Sequence, residues 1–447
     1  MIIRGPIAFL RGDPFLHPTD DVFVQIDDGA ILCLGGLIVR VGDYADVARH
    51  ARADTPVHHY PGKIITPGFI DLHTHYVQSG MVGAHGRSLL DWLSDYTFVE
   101  EQKFSDRAYC AESAAFFCRE LLRNGTTTAM VFAAVYPESA DELFAEAERL
   151  GMRLIVGKVM MDRNAPEALL DTAQSAYDQS KALIERWHGR DRLLYAITPR
   201  FAPTSTAQQL EAAGDLWRAH PDVYVQTHLS ENQDEVSWVS ALFPEARSYL
   251  DVYDRHGLVG PRAVFAHGVH LAEEELGRLH ESGAAIAHCP SSNLFLGSGL
   301  FRMEAATTAH RPVHLGLGSD IGGGTSFSLL RTAGEAYKVG RLTGRGLTAA
   351  QGLYLMTLGP ARALGLDGVL GSLAPGYEAD IVVLDPEATP LLHFRNARSK
   401  SIAETLFVLM TVADDRAVAA AYLGGRLTHA RAERQDAGAA HQALPQA

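Results

Sequence analysis

Two histidines stand two positions apart where an apolar stretch of the chain ends. His73 and His75 close residues 64–75, in which Pro67 and Gly68 predict a bend near the start of a buried strand. Side chains alternate between the faces of a strand, so both imidazoles can reach one point in space. Such a pair is half of a site for a divalent metal such as zinc. Two histidines without a shared role could also stand at a strand end, so the metal hypothesis depends on matching residues elsewhere in the chain.

A second strand end carries a histidine and a carboxylate three residues apart. Residues 223–231 predict a strand that ends in His228, two further residues and Glu231. We interpret His228 as a third metal ligand and Glu231 as the carboxylate that transfers a proton. The alternative is a core histidine and a glutamate that caps the helix beginning at Asp234. For this segment alone, that alternative is the stronger one.

Two more strand ends supply a histidine and an aspartate. His267 closes the apolar residues 263–267, where it is either a ligand or the group that holds a water or a polar atom of the substrate. Asp320 closes residues 313–320, and an ionised carboxylate at a buried strand end must face a cation or several donors. The glycines at 322–324 lack the lysine and hydroxyl residue of a phosphate loop, so they predict a close backbone approach to the site.

Together these residues predict one metal site with hydrolytic chemistry. His73, His75, His228 and Asp320 offer nitrogen and oxygen ligands, for which zinc is the first choice and iron(II) the second. The metal would lower the pKa of a water so that it attacks near neutral pH. Asp320 would accept the proton of that water and orient it. Glu231 would carry a proton to the atom beside the attacked carbon, and a poor leaving group such as ammonia would depart protonated.

The surrounding residues predict a fold that brings these strand ends together. Repeated strand and helix patterns predict an α/β protein with a (β/α)8 TIM barrel over residues 67–371, whose active site lies at the carboxyl ends of the strands. Residues 1–66 and 372–430 predict a small β-sandwich domain formed by both terminal segments, and residues 431–447 a disordered tail. The eight apolar runs of the barrel end near residues 75, 132, 160, 200, 230, 268, 290 and 320.

Composition restricts the classes of function. The chain has 447 residues, of which 47% are hydrophobic and 21% charged, as in a globular enzyme. Its net charge of −14 argues against general binding to nucleic acid or an anionic membrane. No apolar run reaches the ~20 residues of a membrane helix. The first residues lack a signal-peptide pattern and the four cysteines form no C-x-x-C, so we expect a cytoplasmic protein without disulfides.

The chain resembles the amidohydrolase superfamily over nearly its whole length up to the tail. The resemblance rests on residues 67–75, on His228, His267 and Asp320, and on residues 376–384, which are typical of its β domain. It implies one zinc ion held by the four ligands named above, hydrolysis of guanine to xanthine and ammonia, and a homodimer. The segments most similar to the guanine-deaminating members are 91–93, 96–98, 124–128, 157–164, 198–204, 227–232 and 287–293.

The same resemblance implies that Gln78, Arg200 and Phe201 contact a purine substrate. An amide at Gln78 offers a donor and an acceptor to a purine edge. Arg200 can donate to a purine carbonyl and to a ring nitrogen. Phe201, Trp92 or Phe98 would supply an aromatic wall. The alternatives are a surface glutamine, a structural salt bridge and aromatic residues of the core.

Several alternatives stay open at this level. Another aminohydrolase of the superfamily would use much the same chemistry on an oxidised guanine, a pterin or a halogenated triazine. A modified Lys158 bridging two metals would indicate a dinuclear cyclic amidase, although the His-x-x-Glu pattern favours one metal and a structural lysine. An inactive scaffold would have lost ligands, and none is missing. Zinc deaminases with cysteine ligands carry P-C-x-x-C, which the chain lacks.

Overall fold

The computed structural model describes residues 1–86 and 89–432. In that part of the chain, nine strands pair in one sheet and eight in another. The larger sheet is a parallel barrel, and the smaller one is built from both ends of the chain, so the predicted fold class is confirmed. The disordered tail predicted for residues 431–447 lies outside the described residues, apart from its first two positions.

The strands are numbered in the order in which they follow one another along the chain. They are β1 Ile2–Leu10, β2 Phe23–Leu34, β3 Leu37–Asp43, β4 Val57–His59, β5 Ile64–Pro67, β6 Phe69–His75, β7 Thr126–Phe132, β8 Arg153–Gly157, β9 Val159–Met160, β10 Leu194–Pro199, β11 Tyr224–Leu229, β12 Ala263–His267, β13 Ala285–His288, β14 His314–Leu317, β15 Ile381–Leu384, β16 Val418–Leu423 and β17 Arg426–Ala430.

Strands β6 to β14 form the barrel, in which eight strands pair in parallel in the order β6-β7-β8-β10-β11-β12-β13-β14. The short β9 follows β8 and pairs with β10. All residues of β7 are buried, as expected for a parallel strand that is covered on both faces. The last strand, β14, packs beside β6 and closes the ring. The strands end at or within a few residues of the predicted positions, so their carboxyl ends share one rim.

Most of the helices surround the barrel and connect its strands. Thr172, Thr206 and Thr348 cap three of them by accepting a hydrogen bond from a backbone N–H of the first turn. The helices are α1 Thr19–Val22, α2 Tyr44–Arg49, α3 Leu89–Trp92, α4 Phe98–Glu101, α5 Arg107–Arg123, α6 Pro137–Leu150, α7 Ala173–Trp187, α8 Ala207–Ala219, α9 Gln233–Leu242, α10 Tyr249–Arg255, α11 Glu273–Ser282, α12 Pro290–Phe295, α13 Met303–Ala306, α14 Leu329–Thr343, α15 Ala349–Met356, α16 Leu358–Ala363, α17 Pro390–Asn396 and α18 Ile402–Val412.

The smaller sheet joins the two ends of the chain. Its strands follow the order β17-β16-β15-β5-β1-β2-β3, with β4 beside β1. Strand β15 pairs antiparallel with β5, so the C-terminal segment adds directly to the N-terminal one. Ile3, Ile31 and Ile381 belong to the apolar core of this sheet. Arg192 of the barrel donates to Glu378 at 2.7 Å, which ties the sheet to the barrel.

The described residues contain no helix that is both long and apolar enough to cross a bilayer. The four cysteines are buried and their thiols are free.

Candidate active site

Four side chains converge at the carboxyl ends of three barrel strands. His73 and His75 belong to β6, His228 lies in β11, and Asp320 follows β14. The Nε2 atom of His75 is 3.2 Å from that of His73 and 3.2 Å from that of His228. Asp320 Oδ1 lies 3.2 Å from His73 Nε2 and 3.3 Å from His75 Nε2. The structure thus brings together the four residues predicted as ligands.

The spacing of these atoms fits a shared cation. His228 Nδ1 donates to the carbonyl of Arg200 at 2.7 Å, which leaves a lone pair on its Nε2. The Nδ1 of His75 is buried without a hydrogen-bond partner among the described residues. Ligand atoms about 2.1 Å from a zinc ion would stand roughly 3.4 Å apart at the corners of a tetrahedron. The four observed separations are close to that value, so these side chains fit a shared zinc ion.

The protonation states of these groups also suit a metal. Burial lowers the pKa of His75 to about 3. Burial likewise lowers the pKa of His73 and, more strongly, that of His228. Burial would raise the pKa of Asp320, but the neighbouring His73 and His75 hold that pKa well below its usual value. Neutral imidazoles around an ionised carboxylate are the forms in which these side chains bind a divalent cation.

His267 stands beside the group, next to the second oxygen of Asp320. Its Nε2 is 3.8 Å from Asp320 Oδ2 and 3.4 Å from an oxygen of Glu231. Its Nδ1 contacts Asn293 Oδ1 at 2.8 Å, which places a proton on Nδ1. Burial lowers the pKa of His267, but the carboxylates of Glu231 and Asp320 outweigh burial, and the net pKa is raised.

A second combination of four residues at this rim also brings its ligand atoms close together. Ligand atoms of His73, His228, His267 and Asp320 all lie within 4.8 Å of one another. His75 is nonetheless the closer neighbour, since its Nε2 is 3.2 Å from two histidine nitrogens. The distances favour the set that contains His75 and leave His267 at its edge. His267 and Asp320 both have positive φ, 74° and 49°, a strained backbone that is common at functional sites.

Glu231 is held in place from two sides. Ser298 Oγ donates to Glu231 Oε1 at 3.1 Å, and the backbone N–H of Glu231 donates to Glu235 at 2.9 Å. Burial raises the pKa of Glu231 to about 7. The alternative role as a helix cap is wrong, because α9 begins at Gln233 and is capped by Asn232.

A cavity opens at these side chains. The empty space at this rim is about 390 Å³ when the open mouth is included. Gln78, Trp92, Arg200 and Phe201 line it, so the predicted substrate contacts lie beside the converging ligands. The other lining residues are His75, Leu89, Leu93, His228, Glu231, His267, Leu296, Asp320 and Gly323.

The alternatives for the predicted contacts can now be decided. Gln78 is buried, so the surface glutamine is wrong. Arg200 both lines the cavity and forms a salt bridge, with its Nη1 2.6 Å from Glu101 Oε2. Phe98 is not one of the described residues that line the cavity; its ring packs 5.6 Å from the guanidinium carbon of Arg200. A Cβ on Gly322 would lie 2.1 Å from Gln78 Oε1, which confirms the predicted close backbone approach.

Glu101 is the residue of this site that the sequence pattern did not predict. It ends α4, and its side chain is fully buried against Arg200 and Gln78. No strand end or short motif marks it, because it reaches the site from a connecting helix. Lys158 is also fully buried, with its Nζ 2.7 Å from Asp171. It is absent from the described residues that line the cavity, which agrees with the structural role predicted for it.

Comparison with known proteins agrees with this geometry. Residues 64–428 match the model of the Amidohydrolase family. The chain is 52% identical to the guanine deaminase of Escherichia coli (strain K12) over 407 residues, which are 91% of this chain and 92% of that protein. The structure of E. coli guanine deaminase matches 96% of this chain and all of its own, with a TM-score of 0.94 and 49% identity.

Two further solved structures are similar over most of the chain. Guanine deaminase from C. acetobutylicum with bound guanine in the active site has a TM-score of 0.85 and 29% identity, covering 95% of this chain and 99% of that one. An adenosine deaminase from Xanthomonas campestris with bound zinc has a TM-score of 0.82 and 26% identity, covering 95% and 92%. On the family match and the E. coli relative together, the chain belongs to the amidohydrolase family, within its guanine deaminase branch.

Proposed function

We propose that this protein is a zinc-dependent guanine deaminase, which hydrolyses guanine to xanthine and ammonia. One observation carries the proposal: a single cavity joins the converging histidines and aspartate to an amide and a guanidinium. The first group suits metal-assisted hydrolysis, and the second suits the polar edge of a purine. The same reaction is supported by the similarity to guanine deaminases, which extends over most of this chain.

In this proposal His73, His75, His228 and Asp320 hold one zinc ion, with iron(II) as the second choice. Zinc, when bound, supplies the Lewis acid that activates a water near neutral pH. The ion pair between Lys158 and Asp171 supports a single metal, because that lysine is already occupied away from the cavity.

Two carboxylates share the proton transfers. Asp320 Oδ2, at the edge of the ligand group, accepts a proton from the attacking water. Glu231, whose pKa of about 7 lets it take up and release a proton near neutral pH, protonates the ring nitrogen beside the attacked carbon. The water oxygen bonds to the carbon as Asp320 takes its proton. Asp320 then passes that proton to the amino group, the carbon–nitrogen bond breaks and ammonia leaves, while the remaining hydroxyl proton returns to Glu231 and leaves a carbonyl. His267 lies between the two carboxylates and orients the water.

The substrate lies between an apolar wall and a polar end. Phe201 and Trp92 supply aromatic surface along the cavity. Gln78 and Arg200 face the polar edge of guanine, where the ring N–H and the carbonyl oxygen need an acceptor and a donor. A heterocycle without this pattern would leave these buried groups unpaired, and the specificity for guanine follows from that cost.

We also propose a cellular compartment, an oligomeric state and a domain division for the enzyme. Four free thiols suit a reducing compartment, which supports a cytoplasmic protein. A homodimer is implied by the family resemblance. The division into a β domain of residues 1–66 and 372–430 and a barrel of residues 67–371 is supported by β5, which ends at Pro67, and by β15, which begins at Ile381.

The test is ammonia release and xanthine formation from guanine, with the metal content determined on the same purified sample. Turnover with about one zinc per chain supports the reaction and the single-metal site. Bound zinc without turnover of guanine contradicts the substrate and directs the assay to an oxidised guanine, a pterin and a triazine. About two metals per chain contradicts the mononuclear site and returns Lys158 to consideration.

A further inference from the structure

Glu101 connects the two side chains that face the polar edge of the substrate. Arg200 Nη1 donates to both of its oxygens, at 2.9 and 2.6 Å, and Gln78 Nε2 donates to Oε1 at 3.1 Å. Glu101 is fully buried, and the two partners are each 2% exposed. Phe98 lies one helical turn earlier in α4 and packs against the guanidinium of Arg200. The short helix α4 therefore holds the guanidinium of Arg200 through one ion pair and one aromatic contact.

We propose that Glu101 is a positioning and specificity-determining residue, which orients Gln78 and Arg200 and makes the substrate-recognition end of the cavity electrically neutral. The inference rests on the proposed function, since it assigns how guanine is recognised. Glu101 itself is not one of the described residues that line the cavity, so it acts through its two partners.

The first consequence concerns the orientation of Gln78. A carboxylate can only accept hydrogen bonds, so the end of the amide that faces Glu101 must be the NH2 group. The carbonyl oxygen of Gln78 is then the atom left for a ligand, and it can accept from an N–H group on the guanine edge. Without Glu101, nothing at this contact would distinguish the two ends of the amide.

The second consequence concerns charge. A buried guanidinium without a partner would attract an anion, because an isolated charge is costly in an apolar environment. Glu101 neutralises Arg200 through bonds that both leave from Nη1, so Nε and Nη2 keep their donors for a ligand. The cavity therefore offers directional donors without net attraction for an anion, which suits a neutral purine such as guanine.

The test compares Glu101→Gln and Glu101→Asp with the wild type. Glu101→Gln removes the charge and adds a donor, so the amide of Gln78 is expected to reverse. We expect KM for guanine to rise about 10- to 100-fold, with kcat within about threefold and zinc content unchanged. Glu101→Asp keeps the charge and is expected to show a smaller rise in KM. Glu275→Gln is the control, since Glu275 is a buried glutamate that does not line the cavity.

A second readout separates a charge effect from general damage. Urate is a purine anion at neutral pH, whereas hypoxanthine is neutral. The experiment measures how strongly each compound inhibits guanine turnover. Urate should inhibit Glu101→Gln about 10-fold more strongly than it inhibits the wild type, and hypoxanthine should not. Glu101→Asp should show no gain toward urate, and this variant decides the question if Glu101→Gln does not fold.

The outcomes distinguish this inference from the proposed function. An unchanged KM in both variants, or equal changes toward urate and hypoxanthine, overturns the role of Glu101 while the deaminase assignment stands. Loss of zinc with loss of kcat also overturns it, because the residue would then support the metal group. A wild type that does not turn over guanine overturns the proposed function and this inference together.

Discussion

The backbone N–H of Asp320 donates to the carbonyl of His73 at 2.9 Å. This bond joins the last barrel strand to the first at the point where both side chains enter the ligand group. Asp71 strengthens the junction, since its Oδ1 accepts from the backbone N–H of Ser319 at 2.9 Å and its other oxygen accepts from the Ser319 hydroxyl. The hydrogen bonds that close the barrel therefore also hold the candidate ligands together, and opening the barrel here would separate Asp320 from His73.

Replacing Asp320 by asparagine should remove the metal. The substitution keeps the shape of the side chain but replaces an anionic ligand by a neutral amide, which binds zinc poorly. We expect zinc content after dialysis to fall below about a tenth of the wild-type value, with no guanine turnover. Metal analysis by mass spectrometry measures this, with Glu275→Gln as the control. Full zinc occupancy in the variant would contradict the ligand role.

Replacing Arg200 by alanine should abolish guanine turnover while zinc stays bound. The variant loses the donors at the polar end of the cavity and leaves Glu101 buried without its partner. We expect an unfolding free energy lower by about 3–5 kcal/mol and kcat/KM lower by about 100-fold or more. Adding Glu101→Ala should restore part of the stability but none of the activity. Zinc loss in Arg200→Ala would show that the assignment to substrate recognition is wrong.

Replacing Glu231 by glutamine should stop the chemistry and spare the metal. The amide keeps the contact with Ser298 but cannot exchange a proton near neutral pH. We expect kcat to fall about 10²- to 10⁴-fold with unchanged zinc content. Single-turnover kinetics with guanine measures the chemical step directly. Turnover near the wild-type rate would remove Glu231 from the proton transfers.

The pH dependence of stability should report the burial of Glu231 in metal-free protein. Burial raises the pKa of this carboxyl from 4.5 to about 7. The folded state therefore binds this proton more tightly than the unfolded state does. The resulting stabilisation of the fold is fully present below pH 4.5 and is lost as pH rises through about 7. A shift of this size corresponds to at most about 3 kcal/mol. Glu231→Gln lacks the contribution, so its stability relative to the wild type should increase across this pH window.

Thermal unfolding of both chelator-treated proteins from acid to alkaline pH measures that difference. Shared groups that do not contact Glu231, such as Asp71, cancel in the comparison. His267 does not cancel, because Glu231 raises its pKa, and the loss of that effect in the variant changes the difference in the same direction. A difference in melting temperature that stays constant with pH would contradict the raised pKa of Glu231.

Replacing Gly322 by alanine should displace Gln78. A Cβ at this position would lie 2.1 Å from Gln78 Oε1, and φ of +117° is unfavourable for any residue with a Cβ. We expect a rise in KM for guanine of about 10-fold or more, because the amide oxygen leaves its position. Gly365→Ala is the control, since it also has positive φ, +63°, but its Cβ would enter open space. An equal KM in both variants would contradict the packing of Gln78.

The strand ends could be predicted because they depend on local patterns. Apolar runs that stop at a polar residue mark the rim of the barrel, and the spacing of His73 and His75 places both on one strand face. His228 and Asp320 were found in the same way, since parallel strands bring their carboxyl ends to one rim. The contacts of Glu231 could not be predicted, because Ser298 reaches it from another loop.

The sequence by itself determined the fold class, the reaction class and the candidate metal ligands, because each depends on residue type and on spacing along single strands. Only the tertiary structure decided how the polar end of the cavity is arranged. Glu101 is 99 residues from Arg200 and 23 from Gln78, and no periodicity links them. Their contact exists because α4 packs against Tyr76–Met81, the segment that follows β6 and contains Gln78. The burial of all three side chains then requires that their polar atoms form hydrogen bonds with one another.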